Sequence, residues 1–233
     1  MRERFFKLRD KLLNTTPKIC IERAKIVTEA YKKYDAYPNI EKRAMALADV
    51  LRNMTIYIEE EQLLAGNQAS SNRAAPLFPE YAFAYILDEL DDLEKRSSDK
   101  FTITEENKKV LREILPWWEG KTLKDRAIAM QPQEVLDDRV TGVLGWQGNV
   151  STGEGHIVPD YDMVVRLGFA GLRDKIQKHI DELDLSKPQD LEKLTFYRAC
   201  KAIIDGCLDY IKRYCILAEE QAEQCKDAAR KNC

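Results

Sequence analysis

The chain has 233 residues, 44% hydrophobic and 33% charged, with a formal net charge of −3. This is the balance of a globular protein large enough to bury a core, and with no basic block it excludes nucleic acid as an expected partner. The charged N-terminus has no apolar stretch behind it, and no apolar run approaches the ~20 residues that cross a bilayer, so no leader and no membrane partner are expected and the chain is read as cytoplasmic.

In chain order, the apolar period predicts a helix over 4–13, with Phe5, Leu8, Leu12 and Leu13 on one stripe. Pro17 can open a second helix, on which Cys20, Ala24, Val27, Tyr31 and Tyr34 recur at three- and four-residue steps. Pro38 and Asn39 open a third, carrying Ile40, Ala44, Leu47, Leu51 and Met54. Residues 59–66 then run into an irregular loop over 67–79. Helix is expected again over 81–93. Thr104 is a suitable N-cap for a helix over 105–115, with Glu105 and Glu106 where the helix dipole favours acid, and Pro116 should end it. Short helical pieces fit 123–130 and 132–139.

The next stretch changes character. Seven of the ten glycines lie between Gly142 and Gly171, which weakens helix and permits close backbone approach. Residues 141–159 read as an extended loop with room for a short strand, and loops that interrupt a helical scaffold are where function concentrates. Helix is expected from 160 to 182 and from 191 to the end, the last one amphipathic through Ile203, Ile204, Cys207, Ile211, Cys215 and Ala222. No glycine cap follows it and the apolar period is still running at the last residue, so a chain truncated in mid-element is expected.

The six cysteines, at 20, 200, 207, 215, 225 and 233, contain no Cys-x-x-Cys pair and read as small buried hydrophobes in a reducing compartment. None has a local setting that would activate a thiol. The two histidines lack a partner cluster, so no metal site is expected.

Four stretches together carry a resemblance. They are Glu22-Arg23-Ala24 with Thr28-Glu29-Ala30-Tyr31-Lys32; the run from Glu61 through Gly66-Asn67 to Arg73-Ala74-Ala75-Pro76-Leu77-Phe78-Pro79-Glu80; Trp117-Trp118-Glu119-Gly120-Lys121-Thr122; and Gly155-His156-Ile157-Val158-Pro159-Asp160-Tyr161 followed by residues 164–171. In order and spacing they resemble the N-terminal region of the glycyl radical enzymes, the pyruvate formate-lyase superfamily, nearest its glycerol dehydratase-like branch. The resemblance covers nearly the whole chain.

It implies that residues 1–233 are a mainly α, truncated N-terminal portion of an α/β barrel of two half-sheets wrapped by helices, with the barrel core and the C-terminal glycyl radical domain absent. It also implies a small-molecule substrate and a homodimer when full length. No cofactor is bound directly: a radical-SAM activating enzyme, which carries an iron–sulfur cluster and S-adenosylmethionine, installs the glycyl radical. The cysteine loop and the glycine loop that would carry that radical do not occur in this chain, so no catalytic residue is expected here and the chain alone is expected to be inactive.

The resemblance places His156 where the branch hydrogen-bonds a substrate hydroxyl, a role suited to imidazole; the alternative is a histidine that ties its loop to backbone. Glu154 could face a cationic or hydroxylated substrate or simply be solvated, and Trp146 could line the cavity or anchor the loop. Arg73 and Glu80 match family positions, which a salt bridge fixing the 67–80 loop explains equally well. The implied activity is a C–O lyase, a dehydratase of a small diol or polyol. The alternatives are a formate C-acetyltransferase-like enzyme and a stand-alone helical interaction module.

Overall fold

The computed structural model describes residues 2–143 and 158–226, and most of these are helical, as the apolar periods require. They form two compact units, one of residues 1–76 and 159–233, the other of 77–158.

The first unit opens with α1 (Arg2–Asn14) and a short strand β1 (Lys18–Cys20). The sequence suggested a helix opening at Pro17; the structure corrects this. β1 pairs in parallel with β2 (Ala74–Pro76), Ile19 opposite Ala75, and only then does α2 (Glu22–Lys33) begin. The strand exists because of a partner more than fifty residues away, and no local period can report such a partner. α2 buries Ala24, Val27, Thr28 and Ala30, and the Thr28 hydroxyl satisfies itself by donating to the Ala24 carbonyl at 2.6 Å.

The helices α3 (Asn39–Asn53) and α9 (Pro188–Gln224) form the main packing of this unit. They meet through small residues. A Cβ on Gly206 would lie 2.8 Å from Ala48 Cα and 2.9 Å from Ala48 Cβ, so the two backbones approach as closely as a glycine allows. Nearby, Arg213 donates to the carbonyls of Leu51 at 2.8 Å and Met54 at 2.6 Å, satisfying acceptors that the end of α3 leaves open. Arg52 pairs with Asp209 at 2.6 Å beside it.

α9 buries Ala199, Gly206 and Tyr214 most deeply; of the apolar stripe the sequence suggested, Ile203, Ile204 and Cys207 are half-buried, whereas Ile211 and Cys215 are exposed. Close helix approach selects small side chains, and these weigh little in an apolar period. The helix also stops at Gln224, where Cys225 turns extended, rather than running to the end of the chain. α8 (Tyr161–Asp181) was expected to be continuous but is broken at Gly168, whose φ of 61° and ψ of 174° are not helical.

In the second unit, α4 (Ala84–Glu89) is shorter than the helix expected over 81–93, because the turns that follow it accept bonds from residues eight and nine positions on. Phe101 N–H donates to the Leu93 carbonyl at 3.3 Å and Ile103 N–H to Glu94 Oε1 at 3.2 Å. α5 (Glu105–Ile114) is capped as expected, Thr104 Oγ1 accepting from Asn107 N–H at 3.2 Å. The α-helix ends at Ile114, ahead of Pro116 as expected, and the chain tightens into a 3-10 turn, Leu115–Trp118, in whose first positions an N–H is not needed. Leu111, Leu115 and Trp118 are fully buried, each worth about 1.5–3 kcal/mol of transfer free energy. α6 (Leu123–Ala129) opens on a reciprocal capping box between Thr122 and Asp125, and α7 (Gln133–Val140) follows. Among the described residues no helix is long and apolar enough to cross a membrane.

Candidate functional site

The three residues that the sequence nominates for substrate contact, Trp146, Glu154 and His156, lie outside the described residues. What the structure describes is the chain on either side of that segment. On its C-terminal side, Asp160 is the N-cap of α8, its Oδ1 accepting from Met163 N–H at 2.9 Å. That cap, four residues after His156 in sequence, sets where the helix starts. The first turns of α8 carry Tyr161 and Val165, 69% and 84% exposed, so this end of the helix presents apolar side chains to solvent.

A second constellation was missed at the level of sequence. Asn67, which closes the Glu61–Asn67 motif, is bonded through every polar group it has. Its backbone N–H donates to the Tyr210 hydroxyl at 3.0 Å, and that hydroxyl donates to the Asn67 carbonyl at 2.8 Å. Its side-chain amide donates to the carbonyls of Thr55 at 2.9 Å and Ala69 at 2.5 Å, and its Oδ1 accepts from the Tyr214 hydroxyl. The Tyr210 and Tyr214 rings meet edge to face, 5.0 Å between centroids. Burial, followed by the hydrogen bond with Tyr210, holds the Tyr214 phenol far above its ordinary pKa; burial, with the nearby Glu59 charge, raises Tyr57 as well. Both phenols stay neutral at physiological pH, and Tyr214 together with Tyr210 anchors Asn67 by hydrogen bonds. The signal available in sequence was the spacing of Tyr210 and Tyr214, one helical turn apart, together with Gly66-Asn67; the contact that joins them is long-range.

The remaining nominated residues fall into place individually. Arg73 sits at a φ of 54° and donates through Nη1 to the carbonyls of Leu12 at 3.1 Å and Thr15 at 3.0 Å, which ties α1 to the strand region. The Glu80 carbonyl accepts from Leu123 N–H at 3.4 Å in the second unit. Trp118 is buried edge to face against Trp117 at 5.0 Å, while Lys121 lies over the Trp117 ring. His179 stacks on Tyr197 with 5.4 Å between centroids at the surface of α8 and α9. Of the described cysteines only Cys20 is buried, so the reading of all six as core residues is too broad. Burial raises the thiols of Cys200 and Cys207, which keeps them protonated and weakly nucleophilic.

Two shallow grooves on the first unit are lined in part by residues that form ion pairs. In one, Lys7 faces Glu61 at 3.1 Å and Lys11 faces Glu59 at 3.2 Å. In the other, Asp49 accepts from Tyr34 at 3.0 Å and faces both Lys33 and Arg52 at 3.8 Å. No cluster of three or more His, Cys, Asp or Glu side chains suited to a metal occurs among the described residues.

Comparison with known proteins matches the family described as pyruvate formate lyase-like over residues 1–233. The chain is 37% identical over 206 residues to the probable dehydratase YbiW of Escherichia coli K12, covering 88% of this chain and 25% of that protein. It is 32% identical to the (2S)-3-sulfopropanediol dehydratase of Klebsiella oxytoca, covering 97% of this chain and 28% of that one. Among solved structures, the glycerol-bound B12-independent glycerol dehydratase of Clostridium butyricum superposes with a TM-score of 0.92 at 31% identity, over 99% of this chain and 29% of its own. The chain thus spans between a quarter and a third of the length of the relatives it matches.

Proposed function

Since the chain belongs to the pyruvate formate lyase-like family and its relatives are glycyl radical dehydratases and lyases, we propose that it is the N-terminal portion of a glycyl radical C–O lyase that dehydrates a small diol or polyol. The observation that carries this reading is the likeness to a glycerol-bound glycerol dehydratase along 99% of the chain. In the proposal the barrel is completed by residues beyond this chain, the full-length enzyme is a homodimer, and a radical-SAM enzyme activates it. The radical group supplies abstraction of a hydrogen atom from the carbon bearing a hydroxyl.

What this chain contributes is binding and proton management. His156 hydrogen-bonds a substrate hydroxyl and eases its departure as water, since imidazole can donate to the oxygen on which negative charge builds. Glu154, two residues away, accepts from a neighbouring hydroxyl, and Trp146 excludes water from one side of the substrate. Asp160 serves this arrangement by holding the start of α8 where the His156 segment joins it. Support comes from relatives whose names describe loss of water or sulfite: the (2S)-3-sulfopropanediol dehydratase, the isethionate sulfite-lyase of Desulfovibrio desulfuricans and the trans-4-hydroxy-L-proline dehydratase of Clostridioides difficile.

The test is His156→Ala in the full-length enzyme. Loss of a hydrogen bond to a buried partner is worth about 1–3 kcal/mol. kcat/KM should therefore fall about 10- to 100-fold, with the yield of glycyl radical by spin quantitation unchanged. Unaltered turnover of the preferred substrate would remove His156 from the site.

A further inference from the structure

The first helix is attached to its unit by charge rather than by packing. None of the described side chains of α1 is buried, and the apolar residues that its sequence period groups together face solvent: Phe5 is 62% exposed and Leu13 67%, with only Leu8 half-buried. The stripe that meets the protein is Arg4, Lys7 and Lys11, three and four positions apart and so on one side of the helix. Opposite it runs a stretch of three acids, Glu59-Glu60-Glu61. Lys7 Nζ lies 3.1 Å from Glu61 Oε1 and Lys11 Nζ 3.2 Å from Glu59 Oε1, while Arg4 Nε donates to the Glu61 carbonyl at 2.7 Å. The hydrogen bond to Glu61, and then the charge behind it, raises the Lys7 ammonium above its ordinary pKa.

The two sides of this contact are held differently. The acidic stretch is fixed without help from α1. Glu59 N–H donates to Gln62 Oε1 at 3.1 Å, Gln62 Nε2 donates to the Leu64 carbonyl at 2.6 Å, and Asn67 beyond them is bonded to Tyr210 and Tyr214. The helix is fastened again at its C-terminal end, where Arg73 Nη1 donates to the carbonyls of Leu12 and Thr15 at 3.1 and 3.0 Å. The dock is thus preformed, the last turn of α1 is pinned, and the turns before it rest on ion pairs. Ion pairs at a surface are weak singly and are screened by salt. The screening length shortens from ~10 Å at 0.1 M to ~3 Å at 1 M, about the length of the pairs themselves.

We propose that α1 is a salt-sensitive latch. Residues 2–11 lift from Glu59-Glu60-Glu61 as ionic strength rises, pivoting at the Arg73 contact, while the rest of the unit stays folded. Local opening of this kind belongs to segments with few buried apolar contacts, which describes α1 and not α3, with its buried Ala44, Ala46, Ala48 and Val50. The contact lies wholly within this chain and does not depend on the substrate assigned above.

The experiment follows amide hydrogen exchange in the full-length enzyme at low and high sodium chloride, with α3 as the internal reference. Exchange across residues 5–11 should quicken about 3- to 10-fold at the higher salt, the scale set by two or three exposed ion pairs, while α3 keeps its rate. Lys7→Glu with Lys11→Glu should exchange rapidly in α1 at both salts. Adding Glu59→Lys with Glu61→Lys should restore slow exchange at low salt, a rescue that lost folding would not show. Exchange in α1 that ignores salt overturns the proposal, as does a charge-reversed α1 that stays slow or a full swap that fails to restore it. Quickening of α1 and α3 together also overturns it, since that is loosening of the whole unit.

Discussion

Asn67→Ala should be the most informative test of the first unit. The side chain joins three segments: its amide donates to Thr55 and Ala69, and its Oδ1 accepts from Tyr214. Tyr214 is only 7% exposed, so the substitution leaves a buried hydroxyl without its acceptor, at about 1–3 kcal/mol. The two carbonyls are less enclosed and add roughly 1 kcal/mol together. The bonds between Tyr210 and the Asn67 main chain survive, because they do not use the side chain. A total of about 2–4 kcal/mol corresponds to a fall in melting temperature of roughly 5–15 °C for a domain of this size. Thermal and urea melts followed by far-ultraviolet circular dichroism measure it. Tyr214→Phe alone should cost less, and the double variant should lose about 1 kcal/mol less than the sum, since both changes remove the same bond. An Asn67→Ala loss below about 0.5 kcal/mol, or strict additivity with Tyr214→Phe, would refute the reasoning.

Gly206→Ala should destabilise by about 1–3 kcal/mol despite alanine's better helix propensity, because the new methyl meets Ala48 backbone that cannot move aside; a raised urea midpoint would show that α3 and α9 do not cross this closely. Alkaline pH should weaken the same unit. Tyr214 and Tyr57 titrate higher folded than unfolded, so the stability they lend is complete below the unfolded tyrosine value near ~10 and is lost as pH climbs through the folded values. Melting temperatures should fall as tyrosinate absorbance appears, less steeply in Tyr214→Phe; a flat profile across that window would contradict the buried network.

Much of the helical frame was legible in the residues themselves. α3 follows from Ala44, Leu47, Leu51 and Met54 repeating at helical steps, and α5 from Thr104 placed before two acids. Both signals are local, because a helix satisfies its hydrogen bonds within a few residues. The Gly-His-Ile-Val-Pro-Asp-Tyr motif likewise marked the segment nominated for substrate contact, and Asp160 within it does cap a helix.

What sequence could not determine depends on partners distant along the chain. β1 is a strand because Ala74–Pro76 lies beside it. The residues that α9 buries most deeply are Ala199, Gly206 and Tyr214, since α3 approaches too closely for the isoleucines that dominate its apolar period. Asn67 looked like one residue of a loop motif until two tyrosines some 143 and 147 positions away enclosed it. The bend at Gly168 was hidden for a related reason: apolar periodicity records which side chains recur, whereas a single pair of backbone angles decides where the helix points.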